Sequence, residues 1–317
     1  DLVVGIDIGG TTTSFGFVDR GGALTLPTSM STEAHDPAEA LVSRLHRRIE
    51  EVRAGLPAGH RLLGIGIGAP NAHHGRGTIE HAVNLDWGES VDLAGLIKQH
   101  DELPVAITND AKAAAVGEML FGGARGMKHF LVVTLGTGLG CGVVVDGRLL
   151  HGASGFAGEL GHTLVEPGGR QCGCGRRGCL ETYVSATGLR RTALALLAER
   201  CDPSPLRALN QHEMTAKRIH DLALEGDAIA LEAFERTARI LGLKLADAVA
   251  HTSPEAIFLA GGLAAAGGLL LEPTRRSLEE GLFGAYRGTV QLRLSSLEAG
   301  GSAILGAAAL VWSELAP

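Results

Sequence analysis

One imidazole and three thiols crowd a short stretch of this chain: His162, Cys172, Cys174 and Cys179. A histidine and three thiolates make a closed tetrahedral set of the kind that holds structural zinc, and soft sulfur selects zinc over magnesium or calcium. Gly173, Gly175 and Gly178 let the backbone wrap tightly around a small ion. Four protein ligands leave no open position, so the metal is predicted to brace the fold and not to do the chemistry. Cys141 reads as a small core residue, and Cys201 has no evident role.

Glycine-rich turns offer a second chemistry. Gly9-Gly10-Thr11-Thr12 and Gly136-Thr137-Gly138 each follow a short apolar run. Such turns aim backbone N–H groups at one spot with no side chain in the way, which suits phosphate, and the threonine hydroxyls add donors. No Gly-Lys-Ser/Thr follows either turn, so neither is a Walker-type loop. Asp7 precedes the first turn and is placed to hold a nucleotide's magnesium through water. Asp110 precedes an alanine-rich helix, where it reads as a helix cap or as a functional acid. Glu159 and Glu181, taken alone, read as solvated loop acids.

These groups need a frame. Residues 2–8 and 12–18 read as a strand hairpin closed by the first turn. Asp36 reads as a helix cap with Pro37 at the first helical position, ahead of a stripe of Leu41, Leu45, Ile49 and Val52. Leu63, Ile65 and Ile67 alternate with glycines as a buried strand would. A strand over 104–108 delivers Asn109 and Asp110 at its carboxyl end, and a helix over 111–118 follows. Strands over 130–135 and 142–145 flank the second turn and echo the opening hairpin. Later come a helix face of Leu231, Phe234, Ala238, Leu241 and Leu245, a strand over 257–260 ending in Gly261-Gly262, and a closing helix over 302–315. The repeated strand–turn–strand unit predicts similar α/β halves facing one cleft. The pattern puts residues 1–115 with 303–317 in one domain and 116–302 in the other.

Composition narrows the class. The 317 residues suffice for a pair of ordinary domains, 45% are apolar, and 46 are glycine, as closely packed α/β layers require. A net charge of −7 argues against a general nucleic-acid binder. No apolar run reaches the roughly 18 residues of a membrane span. The opening residues read as a strand and not as a signal peptide, so the expected location is cytoplasmic. The odd count of 5 cysteines, clustered as they are, fits a metal better than disulfides.

Together these motifs resemble the ROK sugar kinases (repressors, open reading frames and kinases) of the actin-like ATPase superfamily. The most specific stretch is Gly158-Glu159-Leu-Gly161-His162 through Cys172-Gly-Cys174 and Gly178-Cys179-Leu-Glu181. Gly66-Ile-Gly68-Ala-Pro-Asn71, Asn84-Leu-Asp-Trp87 and Leu180-Glu-Thr-Tyr183 look most like bacterial glucokinases.

The resemblance implies an actin-like (ribonuclease H-like) α/β fold, with ATP, Mg2+ and structural Zn2+. It implies Asp110 as catalytic base and Asn109, Glu159, His162 and Glu181 as holders of sugar hydroxyls. Gly68 and Asn84 fall in segments that line the sugar pocket. Gly9, Gly10, Thr11 and Thr12 match one phosphate loop, Gly136, Thr137 and Gly138 the other, and Gly261-Gly262 the loop near the nucleoside. Thr12 stands where many members carry lysine, a departure that touches nucleotide affinity.

The implied reaction is phosphorylation of a hexose at its 6-hydroxyl, with glucose first. N-acetylmannosamine, N-acetylglucosamine and fructose kinases are the alternatives, and a homodimer is implied by the family alone. A sugar-sensing repressor of the same family would carry a helix-turn-helix ahead of the first strand, which begins here at residue 2. His73, His74, His81, His129 and His151 lack supporting spacing and read as surface or rim residues.

Overall fold

The structure, a computed structural model, describes residues 1–82, 84–297 and 300–315. It divides into two compact units: Asp1–Met127 with Gly142–Ala157 and Ser296–Pro317, and Lys128–Cys141 with Gly158–Ser295. The boundary expected after residue 115 falls inside the helix Asp110–Leu120, which the first unit keeps whole. The last two residues of the expected 303–317 segment lie outside the described residues.

In the first unit the sheet runs Leu24–Ser31, Thr12–Asp19, Leu2–Ile8, Leu62–Gly68, Val105–Thr108. The last three strands are parallel, and register places Asp7 beside Gly68 and Gly68 beside Thr108. Their carboxyl ends therefore line up at one sheet edge, where ligands of open α/β sheets bind. One face packs Val4, Ile6, Phe15 and Phe17 against Leu41, Leu45 and Ile49 of the helix Ala38–Arg53. Ile304, Ala308 and Val311 of the helix Ser302–Glu314 cover Val3 and Val18. That helix presses so close that a Cβ on Gly5 or Gly66 would collide with the carbonyls of Ile304 and Ala307. Glycines therefore alternate with Ile65 and Ile67 because the covering backbone leaves no room for a side chain.

Pro37 itself occupies the cap of the first helix, and Asp36 makes no side-chain cap bond. The Pro37 carbonyl accepts from Ala40 N, which moves the helix start one residue beyond the expected place.

In the second unit Phe130–Leu135, Ala256–Ala260 and Gln291–Leu294 pair in parallel. The helix Ala228–Thr252 buries Phe234, Ala238, Leu241 and Leu245. Leu231, expected on that face, is 39% exposed. The buried face runs through Ala230, Ala233, Phe234 and Thr237, which turns position 231 toward solvent. Among the described residues no helix is long and apolar enough to cross a membrane.

Candidate active site

In the first unit the chain turns sharply after Asp7. Gly9 N donates to Thr12 O at 3.0 Å, and Thr32 fastens the turn by Thr32 N to Thr11 O at 2.9 Å and Thr32 Oγ1 to Gly9 O at 2.7 Å. Thr13 and Thr32 share a buried hydroxyl–hydroxyl bond of 2.9 Å. Asn84 packs on this turn: a Cβ on Gly10 would lie 2.9 Å from both Cβ and O of Asn84. The side chains of Thr11 and Thr12 stay exposed. Asn84 thus sits against the first phosphate-type turn, a neighbourhood that spacing alone did not reveal.

Gly68, Asp7 and Asp110 meet at the sheet edge. A Cβ on Gly68 would lie 3.7 Å from Asp110 Cα and 3.8 Å from Asp7 Oδ1. Asn109 is the cap of the helix Asp110–Leu120, and its side chain accepts from Ala111 N at 2.9 Å. Capping therefore belongs to Asn109, while Asp110 opens the first turn and also accepts from Ala111 N at 2.8 Å. Burial first, and the charge of Asp110 second, push Asp7 up to about 6. The protein packed around Asp110 raises its carboxyl too, against the Ala111 N–H and the Asn109 side chain, which pull it down. The surface of Asp110 itself is open to water, which tempers that rise. A carboxyl poised upward and still accessible suits a proton acceptor.

The histidines read as isolated do not all stand alone. His74 stacks on His151 at 4.5 Å, with Nδ1 3.1 Å from Ile107 O, and His73 meets the ring of Phe156 edge-on at 5.7 Å. Burial, with His74, Lys112 and His73 nearby, holds His151 down at about 4.

In the second unit the ligand atoms of His162, Cys172, Cys174 and Cys179 lie within 4.8 Å of one another. Cys174 Sγ and Cys179 Sγ are 3.7 Å apart, as are Cys172 Sγ and His162 Nδ1. Zinc–sulfur bonds of about 2.3 Å in a tetrahedron put sulfurs about 3.8 Å apart, so donor chemistry and spacing both fit zinc. Burial works to raise the Cys174 thiol, but hydrogen bonds from Arg176 outweigh it and bring it down to about 6. Gly178, at φ +87°, has no room for a Cβ beside the Glu166 carbonyl, and Cys172 N donates to Arg176 O at 2.9 Å to close the knuckle. Arg170 ties this loop to the next helix through the carbonyls of Thr182 and Gly188, lying 4.4 Å over the Tyr183 ring.

His162 turns Nδ1 to the cluster and Nε2 toward Glu159, whose Oε2 is 3.9 Å away. Glu181 Oε1 lies 3.7 Å from His162 Nδ1 and accepts from Cys172 Sγ at 2.9 Å. The cluster therefore gathers His162, Glu159 and Glu181. It also reaches the second glycine turn, where a Cβ on Gly138 would lie 2.7 Å from Glu181 Oε2.

That turn is closed by Gly136 N to Gly138 O at 3.0 Å and anchored by Ala186 N to Gly136 O at 2.8 Å. Gly261 (φ +87°) folds onto the Leu135 backbone just before it, with Leu263 N donating to Leu135 O at 3.0 Å. A pocket of about 360 Å³ opens beside Thr137, lined by Ala186, Thr187, Arg190, Met214 and Thr215 among others. None of these pocket residues except Thr137 carried a sequence signal, because the loop before Thr215 comes from a distant stretch of chain.

A model of the ROK family matches residues 3–314. A glucokinase of Halalkalibacterium halodurans is 36% identical over 280 residues, 87% of this chain and 84% of that protein. The solved structure of a ROK family glucokinase from Streptomyces griseus, in complex with glucose and AMPPNP, superposes with a TM-score of 0.82 at 34% identity. It covers 97% of this chain and 98% of its own. A ROK family transcriptional regulator homologous to the E. coli MLC protein superposes with a TM-score of 0.88 at 27% identity, over 99% of this chain and 78% of the regulator.

Proposed function

This chain belongs to the ROK family, and we propose that it is an ATP-dependent hexose kinase that phosphorylates glucose at its 6-hydroxyl. The observation that carries the reading is Asp110, an accessible carboxyl raised by its surroundings, beside Gly68 and Asp7 at the sheet edge. The relatives' activities support the same class.

The family resemblance assigns the hexose to Gly68, Asn84, Asn109, Asp110, Glu159, His162 and Glu181. Carboxylates and amides suit a polyol, whose hydroxyls both donate and accept. Asp110 takes the proton of the 6-hydroxyl as that oxygen attacks the γ-phosphorus in line. The bond from the γ-phosphorus to the bridging oxygen breaks, ADP leaves, and the proton passes from Asp110 to solvent. Positioning and charge stabilisation supply most of the rate.

Both glycine turns present N–H groups to the phosphates, and the pocket beside Thr137 takes the nucleoside side, with Gly261-Gly262 nearby. Asp7 holds the nucleotide's magnesium, which neutralises phosphate charge. Zinc, held by His162, Cys172, Cys174 and Cys179, fixes the imidazole and the loop that carries Glu159 and Glu181. The family also implies a homodimer.

A coupled assay for ADP over glucose, mannose, fructose, N-acetylglucosamine and N-acetylmannosamine tests the proposal. The highest kcat/KM is expected with glucose. A different winner reassigns the sugar. Sugar binding with no turnover on any of them favours the regulator reading, to which the likeness to a transcriptional regulator points.

A further inference from the structure

Lys112 stands two residues past Asp110 in the helix Asp110–Leu120 and is only 2% exposed. Taking an ammonium out of water is expensive, and a methionine or leucine would fill the same space without that cost. The position is therefore held for a contact. Lys112 Nζ donates to Gly155 O at 2.6 Å. The helix that carries it is itself fixed: a Cβ on Gly142 would lie 2.7 Å from Ala111 O and 3.2 Å from Lys112 Cα.

The segment that Lys112 reaches, residues 151–157, is gripped at further points. Gly155 is buried at φ +79°, and a Cβ there would collide with the His73 ring, whose Nδ1 accepts from Arg76 N at 3.2 Å. Phe156 meets His73 edge-on, and His151 stacks on His74. Ala157 N donates to His151 O at 2.9 Å and closes the loop. After burial and His74, the charge of Lys112 helps to hold the His151 imidazole down. The chain leaves this loop straight into Gly158 and Glu159. Two residues of chain span at most about 7 Å, so fixing Ala157 confines Glu159 closely.

We propose that Lys112 is a positioning residue for hexose binding: by pinning the Gly155 carbonyl it sets the loop that delivers Glu159. The proposal rests on the assignment of Glu159 to the sugar under the kinase reading above.

Wild-type protein, Lys112→Met, Gly155→Ala and the double variant are compared in hexose phosphorylation at saturating Mg·ATP. Calorimetry on the same proteins reads the binding of glucose and of AMPPNP with magnesium. Methionine keeps the bulk of the stem and removes the ammonium. Loss of a charge-assisted hydrogen bond is expected to raise the hexose KM and the glucose Kd about tenfold. The kcat and the AMPPNP affinity should stay within about twofold of wild type, a split that a general loosening of the fold would not give. Gly155→Ala disturbs the same point through the left-handed backbone and the His73 ring, and it should show the same split. The double variant should lose little more than the worse single one, because both changes act through one loop.

Unchanged glucose affinity in Lys112→Met overturns the assignment. So do equal losses for glucose and AMPPNP, or losses that multiply in the double variant. If Lys112→Met does not fold, Gly155→Ala decides alone: weakened glucose with AMPPNP retained supports the role, and any other pattern overturns it. A wild type that binds glucose and phosphorylates no hexose refutes the kinase reading, and the role of Lys112 is then read from glucose affinity. Normal glucose affinity for Lys112→Met in an active enzyme refutes only the role of Lys112.

Discussion

The two glycine turns are spelled with nearly the same residues and stand in different electrostatic company. The first, Gly9 to Thr12, is pinned by Thr32 and packed by Asn84, and it follows the strand that carries Asp7, whose carboxyl feels the charge of Asp110. The second, Gly136 to Gly138, opens beside Arg190 and the starts of a helix pair, with Glu181 of the zinc loop against its last glycine. Backbone N–H groups can serve phosphate at either turn. The neighbours differ: the carboxyls near the first turn suit magnesium and a departing proton, whereas the second turn has both a cation, Arg190, and the Glu181 carboxylate beside it. A phosphate turn is therefore defined less by its glycines than by the charges folded around it.

The largest effect should come from the acidic side. Asp110→Asn is expected to lower kcat by roughly 10²–10⁴-fold, the usual worth of a general base, with hexose affinity and thermal midpoint near wild type. A folded Asp110→Asn protein with normal turnover would erase the contrast between the turns.

Steric probes come next. A Cβ at Gly10 meets the Asn84 backbone at 2.9 Å, whereas a Cβ at Gly136 meets nothing within 4 Å. Gly10→Ala should cost about tenfold in kcat/KM for ATP, the scale of an overpacked contact, and Gly136→Ala much less. Gly138→Ala pushes on Glu181 Oε2 and should act on the hexose KM instead. Equal and donor-specific losses at all three glycines would show that the turns do one job.

The smallest effects concern protonation of Asp7. With its pKa pushed up to about 6, protons compete with magnesium below that pH, so the apparent KM for Mg²⁺ should climb as pH falls from 7 to 5. For stability the sign is the reverse of the common carboxylate case. The folded pKa exceeds the unfolded value, so the favourable contribution exists below about pH 4 and is lost as pH rises through 6. Asp7→Asn should raise the thermal midpoint by about 2–4 °C at pH 8 and leave it unchanged at pH 4, while weakening magnesium binding. A midpoint that falls at pH 8 would contradict the burial of this charge.

Much of this was legible in the chain, for identifiable reasons. Soft ligands at close spacing announce a metal knuckle, and glycines at strand ends announce sharp turns, because both are short-range signals. The α/β class and the placing of Asn109 and Asp110 at a strand's carboxyl end followed from apolar runs and turn residues. Three details did not follow. Asn109 takes the cap because its β-region backbone precedes the helix, which leaves Asp110 in the first turn. Pro37 took the cap position expected for Asp36 because its own carbonyl starts the helix ladder. The pocket around Arg190 joins residues 137, 186–190 and 211–216, and no periodicity in the sequence reports that meeting.

The central claim is a division of labour in which the zinc knuckle serves the sugar and the glycine turns serve the donor. Calorimetric titrations on one preparation, with glucose and with the ATP analogue AMPPNP plus magnesium, before and after zinc is removed by a chelator, test it most directly. The expected result is loss of glucose affinity with nucleotide affinity retained, because on the proposal above zinc would orient His162, Glu159 and Glu181, the residues assigned to the sugar. Glucose affinity that survives zinc removal, or both affinities falling together, would contradict the account.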